Sequence, residues 1–190
     1  MRKIKLQMTI SIDGFVKSKF GGPDTWDNEV TEFCVRNLDN VDAILLGRKT
    51  AEGFVPYWKD VAANPDAEYF SLGKPLTEIP KIAFSNTIKD NTLENTSIVS
   101  GDLNTAIKKL KSEAGRDIMV YGGVSFVSSL IQYDLVDEFS LLYYPYAGGQ
   151  GDTIFDKQKT VLSLSLKTCK AFPCGIVLLE YVRNNDNRHR

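Results

Sequence analysis

Three short strings combine glycine, cationic and hydroxyl residues in ways that suit phosphate binding. The first is Leu46-Gly47-Arg48-Lys49-Thr50. Gly47 lets the backbone turn sharply, amides at a helix start attract an anion, and Arg48 with Lys49 adds charge for a phosphate. The second is Tyr121-Gly122-Gly123-Val124-Ser125. Two successive positions without a Cβ let the main chain approach a pyrophosphate while the dipole of the next helix faces it. The third, Phe84-Ser85-Asn86-Thr87, offers a hydroxyl and an amide to a phosphate or an adenine. Each string alone also has a plainer reading, as two solvated cations, a tight turn and a polar loop. Neither Gly-x-Gly-x-x-Gly nor Gly-Lys-Ser/Thr is present.

Other chemistries are excluded by residue type. The one histidine, His189, lies in the polar tail, so there is no Ser-His-Asp triad, Cys-His pair or histidine-held metal unless that tail folds back. Cys34, Cys169 and Cys174 make neither a disulfide framework nor a zinc pattern, and no metal is expected. Cys34 fits a buried helical stripe, while Cys169 and Cys174 flank a turn and would pair only under oxidation. A reaction carried by a cofactor, with the protein binding and orienting, fits this inventory better. Of the 190 residues, 43% are apolar and 25% charged, ample for a sizeable core, and 23 Lys and Arg against 24 Asp and Glu leave a net charge of −1. That balance gives no electrostatic footprint for nucleic acid or an anionic membrane. No apolar run nears the roughly 20 residues of a membrane span. The apolar run in Met1 to Ile12 reaches Asp13 too soon for a signal peptide, so a cytoplasmic protein is expected.

The elements that must position these strings follow from periodicity. Ile4, Leu6, Met8, Ile10 and Ile12 alternate as a strand before the Asp13-Gly14 turn. Gly21-Gly22-Pro23-Asp24 signals a loop. Asp24 or Thr25 is expected to cap a helix carrying Val30, Phe33, Cys34, Leu38 and Val41. Ala43 to Leu46 predicts a buried strand, and Thr50 to Trp58 a short helix stopped near Pro56. Lys59 to Pro80, with Pro65, Pro75 and Pro80, predicts a loop with some helical content, of the kind that often forms a lid. Strands are expected at Lys81 to Phe84, Thr96 to Val99, Asp117 to Tyr121 and Val136 to Tyr144. Helices follow Asp102 and Gly123. Lys159 to Cys169 and Gly175 to Val182 complete an antiparallel hairpin. The result is an α/β domain over residues 1–182 with a mostly parallel sheet and an antiparallel edge, and a polar, disordered tail at 183–190. Ligands of such sheets sit at the carboxyl ends of the parallel strands.

This ordered set resembles the dihydrofolate reductase-like superfamily, and more closely the family that includes the reductase domain of bifunctional riboflavin biosynthesis proteins. The resemblance covers about residues 3–182. It rests on Ser11-Ile12-Asp13-Gly14, Gly47-Arg48-Lys49-Thr50, Tyr121-Gly122-Gly123, Leu135-Val136-Asp137-Glu138-Phe139 and the Pro145 to Gly151 turn. It implies a three-layer α/β/α fold, NADPH as cofactor and hydride transfer to a small heterocyclic substrate. Alternatives are the reduction of 5-amino-6-(5-phosphoribosylamino)uracil in riboflavin biosynthesis, or a nucleotide-binding dimer without turnover. By position, Gly47, Arg48, Lys49 and Thr50 would hold the adenosine phosphates, with Arg48 or Lys49 on the 2′-phosphate. Ser85 and Asn86 would line the adenosine end, Gly122, Gly123, Val124 and Ser125 would cradle the pyrophosphate, and Ile10 to Gly14, Ile12 included, would lie near the nicotinamide.

For the proton that accompanies a hydride, Asp13 is the best-placed acid, its other role being the Asp-Gly turn. Glu29 stands four residues before Phe33, as the active-site acid of dihydrofolate reductases precedes a phenylalanine; Glu32 shares its helix. Trp26, Trp58, Tyr143, Tyr144 and Tyr146 would wall a pocket for a flat ring, or else pack in the core. The riboflavin-pathway reductases tend to carry a lysine where this chain has Gln7 and a glutamate where it has Tyr121, so both positions lose charge here. A homodimer is implied, with Val136 to Tyr144 a candidate interface.

Overall fold

Alternation along the first strand decides the layering. Ile4, Leu6, Met8 and Ile10 of β1 (Ile4–Ser11) bury on one side of the sheet. They pack against α4 (Leu103–Ser112) and α5 (Val124–Gln132) through Ile107, Leu110, Val127, Leu130 and Ile131. In β3 (Val41–Gly47) and β6 (Asp117–Gly122), Leu45, Ile118 and Val120 share that side, whereas Ile44, Leu46 and Met119 point to the other. There they meet α1 (Asn28–Arg36), α2 (Arg48–Ala63) and α3 (Phe70–Glu78) through Val30, Cys34, Ala51, Leu72 and Leu76. Period-2 burial on a sheet with helices on both faces is the three-layer α/β/α arrangement.

The structure is a computed structural model, described for residues 1–18, 22, 25–87 and 92–184. The remaining strands are β2 (Lys17–Ser18), β4 (Lys81–Phe84), β5 (Thr96–Val99), β7 (Glu138–Tyr144), β8 (Gly151–Asp152), β9 (Leu164–Ala171) and β10 (Val177–Arg183). The main sheet has the order β5-β4-β3-β6-β1-β7-β10-β9; β5 to β7 are mutually parallel and β10 runs antiparallel to both β7 and β9. Among the described residues no helix is long and apolar enough to cross a membrane.

Several local expectations change. The α1 cap is Asp27, whose carboxylate accepts from Val30 N at 2.9 Å, rather than Asp24 or Thr25; Asp24 lies outside the described residues. The helix after β3 does not stop near Pro56. It runs to Ala63 because Ala51, Val55 and Val61 bury one stripe, while Pro56 faces outward, so packing outweighs the roughly 3 kcal/mol cost of an interior proline. The segment Lys59 to Pro80 is therefore no lid loop. Its second half is α3, anchored by Leu72 and Leu76, and a Cβ on Gly73 would lie 2.7 Å from Ala62 N, which shows how closely α3 sits on α2. The β9 strand begins at Leu164, five residues later than expected. Arg183 closes β10, and Asn184 N donates to Ser163 O, so the first two residues of the expected tail are ordered; 185–190 lie outside the described residues. His189 lies there too. Val136 to Tyr144 cannot be a dimer face, since β7 is flanked by β1 and β10 and its Phe139, Leu141 and Leu142 are buried.

Candidate functional site

Two helices in this fold start on glycine, and both start at the same rim. Helix α2 has Gly47 as its N-cap and α5 has Gly123; neither receives a side-chain cap and neither has an acid in its first turn. Helices α1 and α4, by contrast, are capped by the carboxylates of Asp27 and Asp102. Leaving a first turn uncapped keeps its N–H groups and the positive end of the dipole for another partner. The two starts touch. A Cβ on Gly47 would sit 3.2 Å from Gly123 N and 3.0 Å from Phe126 Cβ, and one on Gly123 would sit 2.6 Å from Thr50 Oγ1. Gly122 adopts φ +135°, which L side chains rarely take, and its peptide bond to Gly123 is cis. The register pairs Gly47 with Phe84 and Leu46 with Gly122, so all three strings end level at the carboxyl edge of the sheet.

Around this cradle the cations are placed unequally. Arg48 donates from Nη1 to Glu52 Oε1 at 2.7 Å along its own helix, and Lys49 is exposed. Sequence reading missed Lys157: its ammonium donates to Ser125 O at 3.0 Å, Ser125 Oγ at 3.0 Å and Ser129 Oγ at 2.9 Å, on the first turns of α5. No local signal pointed to it, because its partners are about thirty residues away. Val124 packs against the core cluster. Phe84 and Phe126 rings stack at 5.9 Å beside the rim. Ser85 is buried, its N–H donating to Val99 O, and Asn86 is tied to Gly101 through both its amide oxygen and nitrogen.

Below the rim, on the α1–α3 face, lies a cavity of about 380 Å³, within the size range of small-molecule sites. Gln7 and Thr9 of β1, Tyr121 of β6 and Tyr144 of β7 come from the sheet. Trp26, Phe54, Trp58 and Tyr69 form aromatic walls, with Leu72 and Leu76 behind. Trp58 and Trp26 thus fulfil the expected wall, as does Tyr144, whereas Tyr143 packs on the opposite core and Tyr146 borders a neighbouring cleft with Thr9 and Ile10. Phe54, which sequence reading passed over, stacks on Tyr121 at 5.7 Å.

The two proposed acids do not reach this cavity. Asp13 accepts from Ser11 Oγ and from the N–H groups of Gly148 at 2.9 Å and Gly149 at 2.7 Å. The Ser11 hydroxyl and then those two amides lower its pKa from 3.8 to about 2. These contacts make Asp13 a clamp between the Ser11–Gly14 turn and Gly148–Gly149. Ile12, 63% exposed, joins the same clamp by donating from N to Tyr146 O at 3.0 Å. Because the folded value lies below the ordinary one, the clamp's contribution is whole above about pH 4 and is lost as pH falls toward 2. A carboxyl NMR titration of Asp13 should show a midpoint near 2; a midpoint at the ordinary 3.8 contradicts the clamp. Glu29 pairs with Lys170 Nζ of β9 at 2.8 Å. Glu32 pairs with Arg36 on the surface. Among the described residues no Asp or Glu lines the cavity.

Comparison with known proteins gives these shapes a context. Residues 2–178 match the protein family described as RibD C-terminal domain. The uncharacterized protein YyaP of Bacillus subtilis is 32% identical over 95% of this chain and 94% of its own. A putative riboflavin biosynthesis protein from Shewanella sp. PV-4 superposes with a TM-score of 0.70 at 18% identity, covering 96% of this chain and 99% of that one. Dihydrofolate reductase from Enterococcus faecalis, solved in complex with NADP(H), superposes with a TM-score of 0.63 at 14% identity, covering 96% and 97%.

Proposed function

Because this chain belongs to the RibD C-terminal domain family, we propose that it is an NADPH-dependent reductase acting in the cytoplasm on a small heterocyclic substrate. The observation that carries this reading is the meeting of two uncapped helix starts at one glycine-lined rim directly above an aromatic cavity. The cradle suits a dinucleotide: main-chain N–H groups at Gly47, Gly123 and the first turns of α2 and α5 would take the pyrophosphate oxygens, and a Cβ at Gly123 would collide with Thr50. Val124 and Ser125 continue that cradle. Arg48 or Lys49 would engage the 2′-phosphate, and Ser85 with Asn86 would border the adenosine. Bound there, NADPH supplies the hydride. The protein's own share is to hold the ring of the substrate flat between Trp26, Phe54 and Trp58 and to keep water from the reacting face.

The family match also favours a second reading, reduction of 5-amino-6-(5-phosphoribosylamino)uracil, while a third is a nucleotide-binding dimer without turnover. As a homodimer the chain would pair through β9, one of the two edge strands, whose Leu166 is 57% exposed. Loss of NADPH absorbance over a panel of pterins, dihydrofolate and the phosphorylated pyrimidine separates the readings. Consumption with an unphosphorylated ring is the expected result; consumption only with the phosphorylated pyrimidine selects the second, and NADPH binding with no consumption the third.

A further inference from the structure

A lysine ammonium is stabilising at the C-terminus of a helix and opposed at its start, which is the positive end of the dipole. Lys157 is placed against that rule. Its ammonium lies on the first turns of α5, donating to Ser125 O at 3.0 Å, Ser125 Oγ at 3.0 Å and Ser129 Oγ at 2.9 Å. Three neutral oxygens take all three of its protons. The groups that hold the charge therefore do not cancel it.

The lysine is framed on both sides. The turn over 154–157 begins at Ile154, which is fully buried in the core, and Phe155 packs beside it. Ser128, buried in α5, donates to Asp156 and accepts from Lys157 N at 3.3 Å. Ser125, Ser128 and Ser129 stand at i, i+3 and i+4, so one face of α5 receives the whole turn.

Counting protons then gives each hydroxyl a direction. Ser129 Oγ accepts from Lys157 and spends its own proton on Ser125 O at 3.0 Å. Ser125 Oγ accepts from the same ammonium, which can only donate, so the serine proton is turned away from Lys157 toward another acceptor. Ser125 is exposed and stands two residues after Gly123, the N-cap at the rim.

We propose that Lys157 is a positioning residue for the dinucleotide: it turns the Ser125 hydroxyl out as a donor to the pyrophosphate and brings a positive charge to the start of α5. In the folded protein alone the ammonium and the helix dipole repel. A diphosphate at the rim offsets both. The inference rests on the dinucleotide reading and deepens it by naming the part of the cofactor that this lysine serves. That part is common to NADPH and NADH, so Lys157 supports both, unlike a cation on the 2′-phosphate.

The test is calorimetric titration of the intact protein with NADPH and, separately, with NADH, at low and at raised salt. Lys157→Met keeps the apolar stem and removes the charge; it is expected to weaken both nucleotides by about tenfold and by the same factor. The loss should shrink as salt rises. Ser125→Ala, a surface change that spares the contacts of Ser128 and Ser129, is expected to weaken both by about fivefold. Combined, the two substitutions should cost less than the product of their separate losses, because the lysine acts partly through that hydroxyl. A lysine serving only its own turn would instead lower the melting temperature of Lys157→Met and leave nucleotide affinity unchanged. Unchanged affinity in Lys157→Met, or a loss confined to NADPH, overturns the proposal. Should Lys157→Met not fold, unchanged affinity in Ser125→Ala overturns it. Wild type binding neither nucleotide ends the dinucleotide reading and this one together; wild-type binding that neither variant weakens ends this one alone.

Discussion

Replacing Asp137 by alanine is expected to cost the fold about 3–5 kcal/mol, toward the lower end because the carboxylate keeps some exposure. Asp137 Oδ2 accepts from Lys111 Nζ at 2.6 Å and from Ile4 N at 2.8 Å. The Lys111 side chain is 7% exposed and that of Asp137 24%. Removing the carboxylate strands an ammonium between α4 and the chain leading into β7 and frees the first N–H of β1. An exposed pair such as Lys59–Glu94, at 2.6 Å with both side chains more than 60% exposed, is screened by solvent and contributes little. Burial, not distance, makes the difference. Asp137→Asn combined with Lys111→Met should be milder than Asp137→Ala, because an oxygen remains for Ile4 N and no charge is left buried. Urea unfolding measures both; a loss below about 1 kcal/mol for Asp137→Ala contradicts the buried-pair assignment.

Arg48→Ala should weaken NADPH by about 10- to 100-fold and NADH by less than about twofold, if Arg48 holds the 2′-phosphate. The estimate is a difference. A charge-assisted bond to phosphate contributes about 1.5–3 kcal/mol, against which Arg48 must give up Glu52, a same-helix surface pair worth about 0.3–0.5 kcal/mol. The phosphate wins. By the same reasoning Glu52→Gln should tighten NADPH slightly, and the NADPH preference should shrink as salt is raised. Equal losses of both nucleotides on Arg48→Ala would move the 2′-phosphate elsewhere, with Lys49 the next residue to vary.

Much of the scaffold was legible because its signals are local. The alternation of Ile4, Leu6, Met8 and Ile10 fixes a strand and its inner face, and Asp102 marks its helix start without help from the rest of the fold. The α2–α3 pair was not legible, since Pro56 and Pro75 are breakers by local propensity and only the distant core contacts of Ala51, Leu72 and Leu76 outweigh them. The site divides the same way. The glycines and cations at 47–50 and 122–125 could be read from residue type, but not the meeting of the two helix starts, where a Cβ on Gly47 would lie 3.2 Å from Gly123 N. Ser11 to Gly14 and the turn from Pro145 were recognised as separate motifs, and the structure shows them bound to each other through Asp13. A carboxylate at a strand end looks the same in sequence whether it gives protons or gathers amides. Lys157 escaped notice because it acts on residues about thirty positions away.

The central claim is that dinucleotide phosphates occupy the junction of α2 and α5. The direct measurement is a titration of isotopically labelled protein with NADPH, following backbone amide signals. Saturable shifts largest at Gly47, Arg48, Gly123 and Val124 are the expected result. No saturable change, or shifts concentrated away from both helix starts, would contradict it.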